Sequence, residues 1–142
     1  MSRHETEVVK PCAFYQLILL LFMLQFKRTD HINICVAPER LEEACEFYAN
    51  VIGLQPTYRP DVFGIPGYWF LIADIELHIG IEPPVAPTNR HTAFEVTNLA
   101  ECRKHLIAHG IAIHEEPLIP GRDRFSFVDP FGNRMELLQY RV

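Results

Sequence analysis

Two histidines stand sixty positions apart, and each opens a strand-like alternating run: His31-Ile-Asn-Ile-Cys-Val and His91-Thr-Ala-Phe-Glu-Val. Glu136 follows His91 by forty-five positions, inside the apolar run Met135-Glu-Leu-Leu. The same step from His31 reaches Glu76, and two positions on, on the same strand face, comes His78. Neutral imidazole and carboxylate are good ligands for first-row divalent metals. Three or four of them, leaving one or two positions open, make a catalytic rather than a structural site. A lone carboxylate on an apolar strand is costly to bury unless it is paired or bound to a cation, and that cost singles out Glu136. His31, His91 and Glu136 are therefore the expected metal ligands. The fourth place belongs to His78 or Glu76, with His78 preferred. Taken singly, each has a plainer explanation: a strand histidine is more often a surface or satisfied residue, and Glu76 shares its face with Asp74. The recurrence at symmetry-related places lifts the set above its parts. His4 lies in an atypical N-terminus, His105 and His109 fall on a helix or its end, and His114 is expected on an exposed outer strand.

The elements that must position these groups repeat with the same shift of sixty. A helix is expected over about Glu39–Val51, with Leu41, Ala44, Cys45, Tyr48 and Ile52 at helical spacing and Gly53 closing it. A second runs over about Leu99–His109, with Leu99, Cys102, Leu106 and Ile107 on one face and Gly110 at its end. Further strands are expected near Gln55–Arg59, Gly67–Ile72 and Ile75–Ile81, then near Ile113–Pro117, Arg124–Asp129 and Arg134–Tyr140. Asp129-Pro-Phe-Gly-Asn133 reads as a hairpin turn. The stretch Glu82–Arg90, with three prolines, reads as a linker. The fold class is α+β: two βαβββ modules, about residues 29–82 and 90–142, curling their sheets into an open barrel with helices outside. Of Tyr68, Trp69, Phe70, Phe125, Phe127 and Tyr140, alternation lets only about half face a pocket. Arg122 and Arg124, after Pro120-Gly121, could bind an anionic group, although a solvated loop is the plainer expectation.

The 142 residues suit one domain, and 49% apolar with 22% charged residues is an ordinary globular balance. A net charge of −5 without a basic cluster argues against a nucleic-acid partner. Cys12, Cys35, Cys45 and Cys102 form no CxxC pair and read as reduced, inert thiols. Residues 1–28 differ from the rest. The apolar run Cys12–Phe26 is short for a membrane span and lacks the flanks of a signal peptide. We expect an N-terminal extension, with Met23 as a candidate natural start, on a cytoplasmic chain without a stable span.

The stretches "DHINICV", "FYANVIGL", "ELHIG", "HTAFEV" and "FVDPFGNRMELLQ" resemble the vicinal-oxygen-chelate superfamily, which includes glyoxalase I, extradiol dioxygenases, and bleomycin and fosfomycin resistance proteins. The likeness covers about Thr29 to Val142, and "DPFGNRxE" is its most specific piece. It implies one divalent ion (Zn, Ni, Co, Mn or Fe) on His31, His91 and Glu136, with Glu136 carrying a proton. Small members with an "LHLG"-like strand favour His78 as the fourth ligand. The implied function is a glyoxalase-like lyase or isomerase, acting on a small substrate that binds the metal through two neighbouring oxygens. The alternatives are an Fe(II) extradiol-type dioxygenase, a drug-binding resistance protein, or a thiol-transferase acting on fosfomycin. Retention of both histidines and the glutamate argues against the metal-free binder. Only six residues follow Glu136, shorter than the usual tail of the transferase branch. Family members are often homodimers, and in those that swap modules His31 would meet the Glu136 of a second copy.

Overall fold

The structure, a computed structural model, describes residues 24–141. Most of the apolar N-terminal run, and the candidate start at Met23, lie outside the described residues. No helix among the described residues is long and apolar enough to cross a membrane.

Two βαβββ modules follow one another. In the first, β1 (His31–Val36) leads through a 3₁₀ turn, Pro38–Arg40, into α1 (Leu41–Glu46) and a π-helical turn, Phe47–Val51. Strands β2 (Gln55–Thr57), β3 (Tyr68–Ile72) and β4 (Ile75–Ile81) complete it. In the second, β5 (His91–Glu95) and α2 (Leu99–Ala108) precede β6 (Ile113–Glu115), β7 (Arg122–Val128) and β8 (Arg134–Tyr140). Each module forms one four-stranded sheet, in the orders β1-β4-β3-β2 and β5-β8-β7-β6. In both, the first and last strands pair in parallel, and the remaining neighbours are antiparallel. The sheets stay open, as expected of the fold.

The first helix is less regular than its spacing predicts. The Ile52 N–H donates to the Phe47 carbonyl at 3.0 Å, a wide i to i+5 turn. Widening the helix there lets two consecutive aromatics, Phe47 and Tyr48, both turn inward and be buried. Gly53, at φ +81°, ends the turn in a conformation that a β-carbon would strain. In the second helix the Asn98 side chain caps the start by accepting from the Glu101 N–H. Strand β7 begins at Arg122, two residues before the expected Arg124. The two arginines are strand residues, not loop residues.

Alternation gives each sheet one apolar face. Val36, Phe70, Leu77 and Ile79 line it in the first module; Phe125, Phe127 and Met135 line it in the second. With Leu41, Ala44, Phe47 and Tyr48 from the first helical segment, and Leu99 and Leu106 from α2, these residues form a single hydrophobic core. The modules therefore join through their helix-bearing sides. A fully buried side chain of this size contributes about 1.5–3 kcal/mol.

A second tie is polar. Asp129, 4% exposed, opens the turn between β7 and β8. One carboxylate oxygen accepts from the Phe131 and Asn133 backbone N–H groups at 2.9 and 2.7 Å. The other accepts from the Asn133 side chain at 2.9 Å and from the Tyr48 hydroxyl of the first module at 2.6 Å. The Asn133 amide also donates to the Cys35 carbonyl on β1 at 3.2 Å. Burial, then the Asp129 charge, pushes the Tyr48 phenol well above its ordinary value. The three described cysteines, Cys35, Cys45 and Cys102, are free and half-buried.

Candidate metal centre

The polar face of each sheet lies opposite the core and carries one pair of candidate ligands. On the first, His31 sits beside Glu76 in the parallel β1–β4 ladder, and His78 lies across from Trp69 in the β3–β4 ladder. Three rings stack in a column: Trp69 on His78, centroids 4.0 Å apart and 3° from parallel, then His78 on His31 at 4.2 Å and 13°. His78 Nε2 is 2.9 Å from Glu76 Oε2. A carboxylate only accepts, so Nε2 carries the proton and Nδ1 keeps the free lone pair. His31 Nδ1 faces Asp30 Oδ2 at 3.2 Å, which by the same reasoning leaves its Nε2 free. That hydrogen bond, helped by Arg28, holds the Asp30 carboxyl below its usual range.

On the second sheet, His91 Nε2 lies 3.7 Å from Glu136 Oε2. His91 Nδ1 approaches the Asn89 carbonyl at 2.8 Å. A carbonyl only accepts, so Nδ1 is the donor there, and in the neutral ring Nε2 is the nitrogen left with a lone pair for a cation. Glu136 is almost fully buried, its side chain 6% exposed, and Arg124 donates to its Oε2 at 2.6 Å. Two further Arg124 nitrogens donate to the Pro117 carbonyl at 3.2 and 3.1 Å. Beyond this pair, Arg134 and the Ser126 hydroxyl both donate to Glu116, at 2.5 and 2.6 Å. Those two donors hold the Glu116 carboxyl below its usual range, the serine contributing more.

The structure thus brings His31 to His78 and Glu76, and His91 to Glu136. It does not join the two sets: among the described residues no group of three or more His, Cys, Asp or Glu side chains is placed to hold a metal ion. The reason is the core. Because the modules meet through their apolar sides, the His31 face and the Glu136 face both point away from the shared interior. The donor chemistry of each half-site fits a divalent cation, and each half holds two of the four candidate residues, His31 with His78 and His91 with Glu136.

The remaining histidines take ordinary places. His105 Nε2 meets the Val51 carbonyl at 2.7 Å, His109 Nδ1 meets the His105 carbonyl at 2.9 Å, and His114 is exposed on β6. Of the aromatic candidates, Phe70, Phe125 and Phe127 belong to the core, while Trp69 stands on the polar face. The sequence reading missed the Arg124–Glu136 ion pair and the role of Glu116. A same-face signal for both was available in the alternation Arg122, Arg124, Ser126.

Comparison with known proteins agrees with this architecture. The profile of the Glyoxalase/Bleomycin resistance protein/Dioxygenase superfamily matches residues 28–137. Glyoxylase I 4 of Arabidopsis thaliana is 25% identical over 127 residues, which is 80% of this chain and 71% of that protein. The crystal structure of a glyoxalase family protein from Bacillus anthracis superposes with a TM-score of 0.75 at 33% identity, covering 84% of this chain and all of that one. A fosfomycin resistance protein from Listeria monocytogenes, solved with Mn(II) and a sulfate ion, shares the fold with a TM-score of 0.69 at 21% identity, over 83% of this chain and 94% of that one. With the paired βαβββ modules already described, these matches establish that the chain belongs to the Glyoxalase/Bleomycin resistance protein/Dioxygenase superfamily.

Proposed function

We propose that the protein is a metal-dependent lyase or isomerase of the glyoxalase-like kind, with each site assembled from two copies of the chain. His31 and His78 come from one copy, and His91 and Glu136 from the other. The observation that carries this reading is the outward placement of the two half-sites. A core that locks the modules back to back leaves each half-site open to a second chain and closed to its own complement. A twofold pairing would satisfy both faces of both chains at once, as an isologous interface does.

In such a site His31 and His91 present the Nε2 lone pairs that Asp30 and the Asn89 carbonyl leave free. His78 is the fourth ligand, with Glu76 orienting its ring. When bound, a divalent ion supplies Lewis acidity to a substrate that offers two neighbouring oxygens. Glu136 moves the proton at its carboxylate, and its burial beside Arg124 keeps bulk water from competing. Trp69 packs against His78 and fixes the plane of the imidazole.

Metal analysis of mixed dimers tests the assembly. Neither His31→Ala nor Glu136→Gln protein alone retains a full ligand set. Unfolded and refolded together in equal amounts, half the dimers are mixed, and each mixed dimer regains one intact site of two, about a quarter of the wild-type metal content. Wild-type binding with no recovery on mixing overturns the two-chain site. No metal binding by the wild type overturns the metal reading itself. Thiol-dependent consumption of methylglyoxal by the metal-loaded protein tests the lyase activity, and oxygen uptake with a catechol instead would mark a dioxygenase.

A further inference from the structure

Charge pairing around the second half-site is nearly complete, with one exception. A cleft of about 380 Å³ between α2 and the β6–β7 edge is lined by Arg103, Glu115, Glu116, Pro117, Arg122 and Arg124 among others, and it reaches the second half-site through Arg124, which bonds Glu136. Its three carboxylates are all taken: Glu115 by Arg103, Glu116 by Arg134, and Asp123 by Arg141. Arg122 has no acidic partner among the described residues, and its Nε is buried without a hydrogen bond. The Arg134 Nε is likewise unbonded, but that guanidinium is held through its NH2 group by Glu116 and Ser126. Arg122 and Arg124 lie two apart on β7, on the face that carries Glu136, about 7 Å apart along the strand. Arg124 is satisfied only by Glu136 and a carbonyl. If Glu136 turns its charge to a metal, two neighbouring guanidinium groups on one wall lack an anion.

We infer that the substrate carries a carboxylate next to its two metal-binding oxygens, and that Arg122 and Arg124 bind it. The inference rests on the metal reading above and adds the substrate class to it. The chemistry is already displayed within the chain: the group that Arg124 holds at 2.6 Å is a carboxylate. A planar guanidinium fork recognises a carboxylate through paired N–H donors, and a buried guanidinium nitrogen without an acceptor favours a ligand that supplies one. Arg122 lies opposite Tyr140 on the ladder, and the hydrogen bonds and ion pairs of His31, His78, His91 and Glu136 go to other residues, so its contribution separates from metal binding.

Calorimetric titration of Mn²⁺-loaded protein with two probes tests this. 3,4-Dihydroxybutanoate and 1,2-butanediol share a vicinal diol and differ in the carboxylate. The wild type is expected to bind the carboxylate probe at least tenfold more tightly. Arg122→Gln should reduce that preference to threefold or less while leaving Mn²⁺ affinity unchanged, and Arg122→Lys, which keeps the charge but loses the fork, should fall between. Lys104→Ala, on the exposed face of α2, should leave the preference intact. Equal binding of the two probes by the wild type overturns the inference, as does a preference that survives in both Arg122→Gln and Arg124→Gln. If Arg122→Gln fails to fold by circular dichroism, a full preference in Arg122→Lys overturns the claim for a fork. Wild-type protein that binds no Mn²⁺ removes the metal reading, and this inference falls with it.

Discussion

Replacing Tyr48 by Phe should destabilise the protein by about 2 kcal/mol, the range for a hydrogen bond to a charged, buried acceptor being about 1.5–3 kcal/mol. The substitution removes one hydroxyl and leaves the buried ring in place, so little cavity forms. Three donors remain on Asp129, and its carboxylate stays partly satisfied, which keeps the loss below that of deleting the charge. Asp129→Ala should cost more, about 3–5 kcal/mol, because it strands the Tyr48 hydroxyl, the Asn133 amide and two backbone N–H groups together. Urea unfolding followed by far-ultraviolet circular dichroism measures both. With a slope of about 2 kcal/mol per molar urea, Tyr48→Phe should lower the midpoint by about 1 M. The pH dependence gives a second reading of the same bond. The folded phenol ionises well above its ordinary value of 10.0. The unfolded state therefore binds fewer protons than the native state once the pH passes that value, and stability falls as pH rises through the alkaline range. Tyr48→Phe should lose this alkaline decline. A midpoint within 0.2 M of wild type, with the alkaline limb unchanged, would refute the claim that this bond ties the two modules.

Two other outcomes are expected. Glu136→Gln should weaken metal binding at least tenfold, read as loss of the saturable quenching of Trp69 fluorescence by Co²⁺; Trp69 is the chain's single tryptophan and stacks directly on His78. Full stoichiometry and full activity in that variant would remove Glu136 from the site. Glu116 has its carboxyl held below the ordinary value of 4.5, so the stability it contributes is present above that value and is lost as pH falls through the depressed one. Glu116→Gln should flatten the acid limb of the stability profile, and an unchanged limb would show that its bonds to Ser126 and Arg134 are energetically idle.

Much of the architecture could be read from periodicity. Strands β4 and β8 carry a clean alternation and fall where it predicts, and both helices end at the expected glycines, Gly53 and Gly110. Strand β7 was harder because Arg122-Asp123-Arg124 is charged on both faces, which hides a period of two, and because Gly121 just before it reads as a turn. The recurring step of forty-five placed a histidine and a glutamate on neighbouring strands of one sheet in each module. Which module faces which could not be read this way. Both sheets have the same amphipathic pattern, and alternation assigns a side chain to a face without saying what covers that face. Asp129 illustrates the same limit. An aspartate opening a turn is common, and nothing near it in the chain announces that a tyrosine eighty-one positions earlier completes its shell.

The continuous core also bears on how such a chain could be divided. Severing it in the proline-containing stretch between Ile81 and His91 would free two pieces, each with half of one apolar interior. The C-terminal piece would bare Phe125, Phe127 and Met135 to water, and the N-terminal piece would bare Tyr48, Phe70 and Leu77. Neither could persist as a soluble monomer without recruiting the other or a twin of itself. The duplicated unit is thus not a self-sufficient building block: once fused, two such halves depend on each other for solubility, whatever chemistry their outer faces later acquire.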